Sequence, residues 1–186
     1  TEGCIDRLIA DAVASGELLL AVEIRGVDSV ENDDDVTVGL YLVEVPGGGA
    51  PLIDPGTERI APGQTFDVVM PVGVPVRGDI FQGRVRVQLG TIMLPMSTTN
   101  VPLPAMISNA ELRADVSLTA LANGALGGST PFSWIVAEAE RLSGMGELAM
   151  TFFAPYADIQ PTSDPTVCAD VSSALALSGV PAILER

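Results

Sequence analysis

Five acidic side chains fall within the eight residues Asp28–Asp35 (DSVENDDD). Calcium is the ion such a stretch would take, because it accepts about six to eight oxygens from carboxylates, carbonyls and water. Asp28, Glu31, Asn32, Asp33, Asp34 and Asp35 could supply several of them from one loop. The stretch lacks the EF-hand's glycine at its sixth position and glutamate at its twelfth, and no repeating GGxGxD pattern accompanies it. A full shell would need a second contributor, and a further acidic loop with Asp158, Asp164 and Asp170 is the candidate. The competing expectation is a hydrated loop whose aspartates discourage edge pairing.

The two thiols, Cys4 and Cys168, lie near the two ends of the chain. Without histidine they cannot build an ordinary zinc shell, and they do not form a CxxC redox pair. The expectation is a Cys4–Cys168 disulfide tying an N-terminal helix to a closing strand. Closing a loop of about 100 residues is worth about 4.7 kcal/mol in the chain-entropy model. Alternatively, Gly3-Cys4 has the ending of a bacterial lipobox, with Cys4 as a lipid anchor. Both readings place the protein outside the cytoplasm. The chain opens at Thr1 with neither an initiator Met nor a signal peptide, which suggests processing or trimming upstream.

The missing residue types exclude more chemistry than the others supply. With no His and no Lys there is no Ser-His-Asp or Cys-His nucleophile, no Schiff-base lysine, no P-loop lysine and no His-ligated metal. A glycosidase-like carboxylate pair is the remaining acid–base option. One Trp, two Tyr and five Phe equip a sugar cleft poorly, so no enzymatic activity is expected. The balance of 24 acids against nine arginines, net −15, opposes binding to nucleic acid and to anionic membrane. No apolar run is long enough to form a transmembrane helix.

The elements that must position these residues follow from periodicity. Asp6–Ser15 places Leu8, Ile9, Ala12 and Val13 on one helical face, and Gly16 stops it. Glu17–Arg25 and Val36–Val45 read as antiparallel strands, with DSVENDDD at the tip of their hairpin. Pro46–Gly63 reads as an irregular connection. Strands are then expected at Phe66–Pro71, Asp79–Leu89, Thr91–Met96, Leu103–Ser108 and Ala110–Ala122, followed by a short Gly-rich pairing segment. In Ala110–Ala122 the residues Leu112, Ala114, Val116, Leu118 and Ala120 should share the inner face. A second helix should begin near Thr130 as cap, with Pro131 at its first position, the apolar stripe Trp134, Ile135, Ala139 and Leu142, and Gly144 at its end. Glu147–Tyr156 has no clear pattern, and Cys168–Val180 reads as a closing strand. The expected fold is a single domain over residues 1–186. It is mainly β, an antiparallel β-sandwich or wrapped sheet with two peripheral helices.

The runs LIADAVASGELLLAVEIRGVDSVENDDDVTVGL, PLPAMISNAELRADVSLTALANGALGGSTP and CADVSSALALSGVPA resemble secreted or lipoprotein-type proteins of myxobacteria and similar GC-rich bacteria. The resemblance implies an extracellular or cell-envelope location and carries no active-site residues with it. The functional expectation is a non-enzymatic structural or adhesive β domain, a subunit of a surface assembly. It would have protein partners or self-assembly and require no cofactor, calcium in the acidic loop being an option beside the hydrated loop. The alternative is a carrier of a lipid or other apolar ligand, suggested by two-sided apolar strands, six Met and a mean hydropathy of +0.40.

Overall fold

A computed structural model describes residues 4–57, 59–98, 101–159 and 168–186. The chain runs α1 (Cys4–Ser15), β1 (Leu19–Arg25), β2 (Asn32–Glu44), β3 (Ile53–Asp54), β4 (Arg59–Ile60), β5 (Thr65–Pro71), β6 (Val76–Phe81) and β7 (Arg84–Thr98). It continues through β8 (Val101–Val116), β9 (Leu121–Pro131), α2 (Phe132–Ser143), α3 (Gly146–Phe153), a 3₁₀ turn (Ala154–Tyr156), β10 (Asp170–Gly179) and β11 (Ile183–Glu185). The fold is mainly β, as the composition implied.

Nine strands form one sheet in the order β10-β9-β8-β7-β6-β2-β5-β11, with β1 on β2; β3 and β4 make a separate two-stranded ladder. Every pairing is antiparallel except β11 with β5. Strand β2 serves two neighbours on one side, β6 along Asn32–Val38 and β5 along Tyr41–Glu44, while β1 covers Thr37–Val43 on the other. Two of the terminal strands, β1 and β10, contribute to the same core. Leu20, Val22 and Ile24 of β1, and Leu175 and Leu177 of β10, pack against one cluster with Val36, Val38, Ile80, Val85, Leu112 and Leu126. One sheet therefore curls round its own apolar face, burying Val, Leu and Ile where aromatics are scarce.

The opposite face of β1–β2 carries a second, smaller cluster of Leu19, Tyr41, Val43 and Phe66, with Val13 of α1 packed on it. Helix α1 ends at Gly16 with φ of 85°, where the N–H donates to Val13 C=O at 3.1 Å. A Cβ at Gly16 would run into the Gly49 carbonyl, so both the left-handed turn and the close approach require glycine.

The structure corrects several expectations. Asp79–Leu89 is not one strand but the hairpin β6–β7, turning at Gln82 (φ 51°) and Gly83 (φ 75°). Two successive positive φ values are what a two-residue hairpin turn needs to match strand twist. The segments Thr91–Met96 and Leu103–Ser108 are parts of longer strands that pass through irregularities at Gly90 and Asn109. Ala110–Ala122 breaks at Ser117–Ala120, where Ser117 Oγ accepts the N–H of Ala120 at 3.0 Å, so Leu118 is 85% exposed rather than internal. Thr130 lies in β9 and donates to Met106 C=O, leaving Pro131 as N-cap of α2 without a side-chain cap. Among the described residues there are three α-helices rather than two, because Glu147–Tyr156 forms most of α3 and the 3₁₀ turn.

The Cys4–Cys168 disulfide is not formed. Cys168 is a free, exposed thiol. It precedes β10 at one end of the strand order, whereas Cys4 opens the helix packed outside β1–β2. Distance in the fold, not distance in sequence, decides whether thiols can bond, and the Cα atoms must come within about 7 Å.

Candidate functional site

Strand direction places the predicted acidic residues. Through β2, β6, β7, β8, β9 and β10 the direction alternates, so β10 begins at the opposite end of the sheet from β2. The loops Gly26–Glu31, Gln82–Gly83 and Ser117–Ala120 gather at one end. Gly83 N–H donates to Glu31 C=O at 2.8 Å, Val116 N–H to Gly83 C=O at 2.7 Å, and Gln82 N–H to Asn32 Oδ1 at 3.1 Å.

At that end Asn32–Asp35 belong to β2 rather than to a hairpin tip. Asp33 is spent on the turn that precedes it. Its Oδ2 accepts the N–H groups of Asp28 (2.6 Å) and Ser29 (3.3 Å), and its Oδ1 accepts Asp35 N–H (3.1 Å). These backbone donors, Asp28 foremost, hold its carboxyl below the ordinary range. Asp35 pairs with Arg77 at 2.6 Å. Asn32, Asp33, Asp34 and Asp79 line an open concavity of about 320 Å³ with Ile80 and Phe81. No cluster of three metal-ligating side chains occurs among the described residues.

Asp158 sits at the other end, where its carboxylate accepts the N–H of Ser172 (2.8 Å) and its hydroxyl (2.6 Å). It therefore does not meet the Asp28–Asp35 group, and Asp164 lies outside the described residues. Asp170 joins this second end, accepting Ser129 Oγ–H at 3.1 Å.

The solvent face of β7–β8 carries a charge ladder. Arg84 pairs with Asp115 at 2.9 Å, and Asn123 donates to the same carboxylate at 2.7 Å. Glu111 lies between Arg86 and Arg113, the latter at 2.6 Å, and the two guanidiniums, Arg113 first, lower its pKa to about 2. Every carboxylate with a resolved shift among the described residues, Asp33, Glu111, Asp115, Glu138 and Asp158, is shifted downward. A general acid needs the reverse shift.

What the sequence reading passed over is the apolar surface of the α2–α3 hairpin. Met145, Leu148, Met150, Phe152, Phe153 and Tyr156 are all large and exposed, Tyr156 at 67%. Between Leu148 and Ala157 the chain carries no charge. The absence of charge was itself the signal, in a protein with 24 acids. Two residues beyond Tyr156, the chain reaches β10: Ile159 bridges Asp170, and Asp158 N–H donates to Asp170 C=O at 3.0 Å. Compared with protein families, characterised proteins and solved structures, the chain matches none.

Proposed function

We propose that this is a non-enzymatic structural or adhesive β domain that works by binding protein, in the extracellular space or the cell envelope. The observation that carries the reading is where apolar surface lies. The inner face of the curled sheet is filled by its own side chains, with Val36, Val38, Val85, Leu94, Leu112 and Leu126 fully buried. Large apolar side chains gather instead on the outside, along α3 and the 3₁₀ turn. Exposed apolar side chains grouped along one segment are a feature of interaction sites. A filled interior favours external contacts over carriage of a lipid within the sheet. The downward-shifted carboxylates and the missing His and Lys favour a role without catalysis. The location rests on the likeness to secreted and lipoprotein-type chains.

Native mass spectrometry of gently purified protein tests this. Protein–protein species without added small mass are expected. A stoichiometric co-purified lipid on the 19.2 kDa chain would instead establish the carrier.

A further inference from the structure

The sheet has three terminal strands, β1, β11 and β10, and they are guarded unequally. A bare edge presents unpaired N–H and C=O groups to any other strand, and natural sheets blunt such edges with charge, proline or shortness. β1 carries Glu23 and Arg25, with Arg186 also on Glu23 at 2.6 Å. β11 is three residues long, ends in Glu185 and follows Pro181. The part of β7–β8 that extends past its neighbours carries Pro95 opposite Pro104 and Pro102 opposite Ser97. A proline in a ladder must turn its missing N–H outward, so these residues blunt that ribbon as well.

Beyond its first residue, Asp170, β10 has none of these devices. Val171–Val180 contains no charge and no proline, and Ser172, Ala174, Ala176 and Ser178 give its outer face only small side chains. The N–H groups of Asp170 and Ser172 point away from β9, to Ile159 C=O and the Asp158 carboxylate. By strand alternation Ala174 and Ala176 point the same way. Among the described residues neither is paired on that side.

We propose that this edge takes the β10 of a second copy of the chain, antiparallel, with Ala174 opposite Ala176 across a twofold axis. This rests on the protein-binding role proposed above and names its partner. The twofold makes the site complementary to itself, each copy giving and receiving the same hydrogen bonds. Charge selects the direction. An antiparallel pair sets Asp158 and Asp170 of one copy against the uncharged Ser178–Pro181 of the other, while a parallel pair would align acid with acid. Leu175 meets its own counterpart, extending the apolar inner face, where Leu175 and Leu177 are half-buried.

Area requires more than the strand edge. A stable interface buries about 800 Å² per partner, more than one short edge can offer. The exposed apolar run from Leu148 to Tyr156 leads directly into the Asp158–Ile159 cap of β10 and is the adjoining surface that such a dimer has to cover as well. The register carries its Tyr156 end towards the β9–β10 end of the other copy, where Gly179 pairs Leu121 and Leu118 stands exposed.

Sedimentation equilibrium of the whole chain over rising concentration, with amide exchange by NMR, tests the assignment. The expected mass rises from 19.2 kDa to twice that value. Dimerisation should slow exchange at Ala174 and Ala176, and salt should strengthen it by screening two chains of net −15. Ala176→Pro removes an outward N–H, which the isolated sheet tolerates, and should leave a folded monomer. Ala174→Arg installs a guard and should do the same if the proline variant misfolds. A wild-type chain that stays monomeric overturns the β10 site, and so does a dimer untouched by these variants. A dimer that persists in the variants leaves the protein-binding role standing. A monomer that carries lipid removes both.

Discussion

At the scale of single residues, Glu111 makes the sharpest electrostatic statement. It receives Arg113 from its own strand, β8, and Arg86 from the neighbouring β7, with its side chain only 18% exposed. A carboxylate whose pKa falls from 4.5 to about 2 on folding contributes stability above pH 4.5 and loses it as pH falls towards 2. Its arginine partners are half-exposed, so solvent screening reduces the contribution to about 1–2 kcal/mol. Glu111→Gln should therefore lower urea stability by about that much at pH 7. The gap between variant and parent should close between pH 4.5 and pH 2. A gap of the same size at both ends of that range would assign the effect to packing instead. Asp33 shows the same economy in a different role. Its carboxylate was conspicuous in the sequence as a metal ligand, yet it organises the backbone of the turn before β2.

At the scale of elements, glycine sets how closely the strands can approach. β9 carries Gly124, Gly127 and Gly128. A Cβ at Gly128 would stand 2.6 Å from Ile107 Cγ2 and 2.5 Å from Ser108 O, a backbone atom that no side-chain rotamer can move away. At Gly127 the nearest atom, Ser173 O, is 3.3 Å away. Gly128→Ala should cost about 1–3 kcal/mol by overpacking, and Gly127→Ala markedly less. Equal losses in chemical denaturation would mean that the β8–β9 spacing is not fixed by this contact. The strands themselves were largely legible, because alternation marks a half-buried strand. What alternation concealed was continuity. The buried series runs Ile80, then Val85, Val87 and Leu89, then Ile92 and Leu94. Its parity changes at the Gln82–Gly83 turn and again at Gly90. It changes once more between Ile107 and Ala110, across Asn109 at φ of 51°. A parity change means a turn in the first case and a bulge in the other two, and sequence alone gives no means of telling them apart. The break at Ser117 was hidden for the opposite reason: Leu118 and Ala120 kept the alternation going through a turn. The candidate site was less legible still. The acidic residues announced themselves by type, whereas the bare edge of β10 is defined by what its neighbours possess and it lacks.

At the scale of the whole molecule, stability is unevenly distributed. The two apolar clusters lie on opposite faces of β1–β2, so the curled sheet and α1 share strands and should unfold together. The α2–α3 hairpin has a different footing. No residue of α2 is fully buried, and α3 buries only Gly146 and Ala149. Glu140 accepts the N–H of Gly146 at 2.9 Å, so part of what holds the hairpin is internal to it. Segments with few buried contacts open at lower free energy than the core they adjoin. Trp134, the sole tryptophan, lies on α2 and reports on this unit alone. Its fluorescence should change at a lower urea concentration than the far-ultraviolet circular dichroism of the sheet, and amides of residues 132–157 should exchange faster than those of β7 and β8. Coincident transitions would instead show one cooperative unit. The separation has a functional consequence, because the hairpin displays the exposed run from Leu148 to Tyr156 and feeds the cap of β10. If a second copy covers that surface, the fluorescence midpoint should move towards that of the sheet as protein concentration rises, since binding stabilises the form that binds. A midpoint independent of concentration would place the hairpin outside the interface.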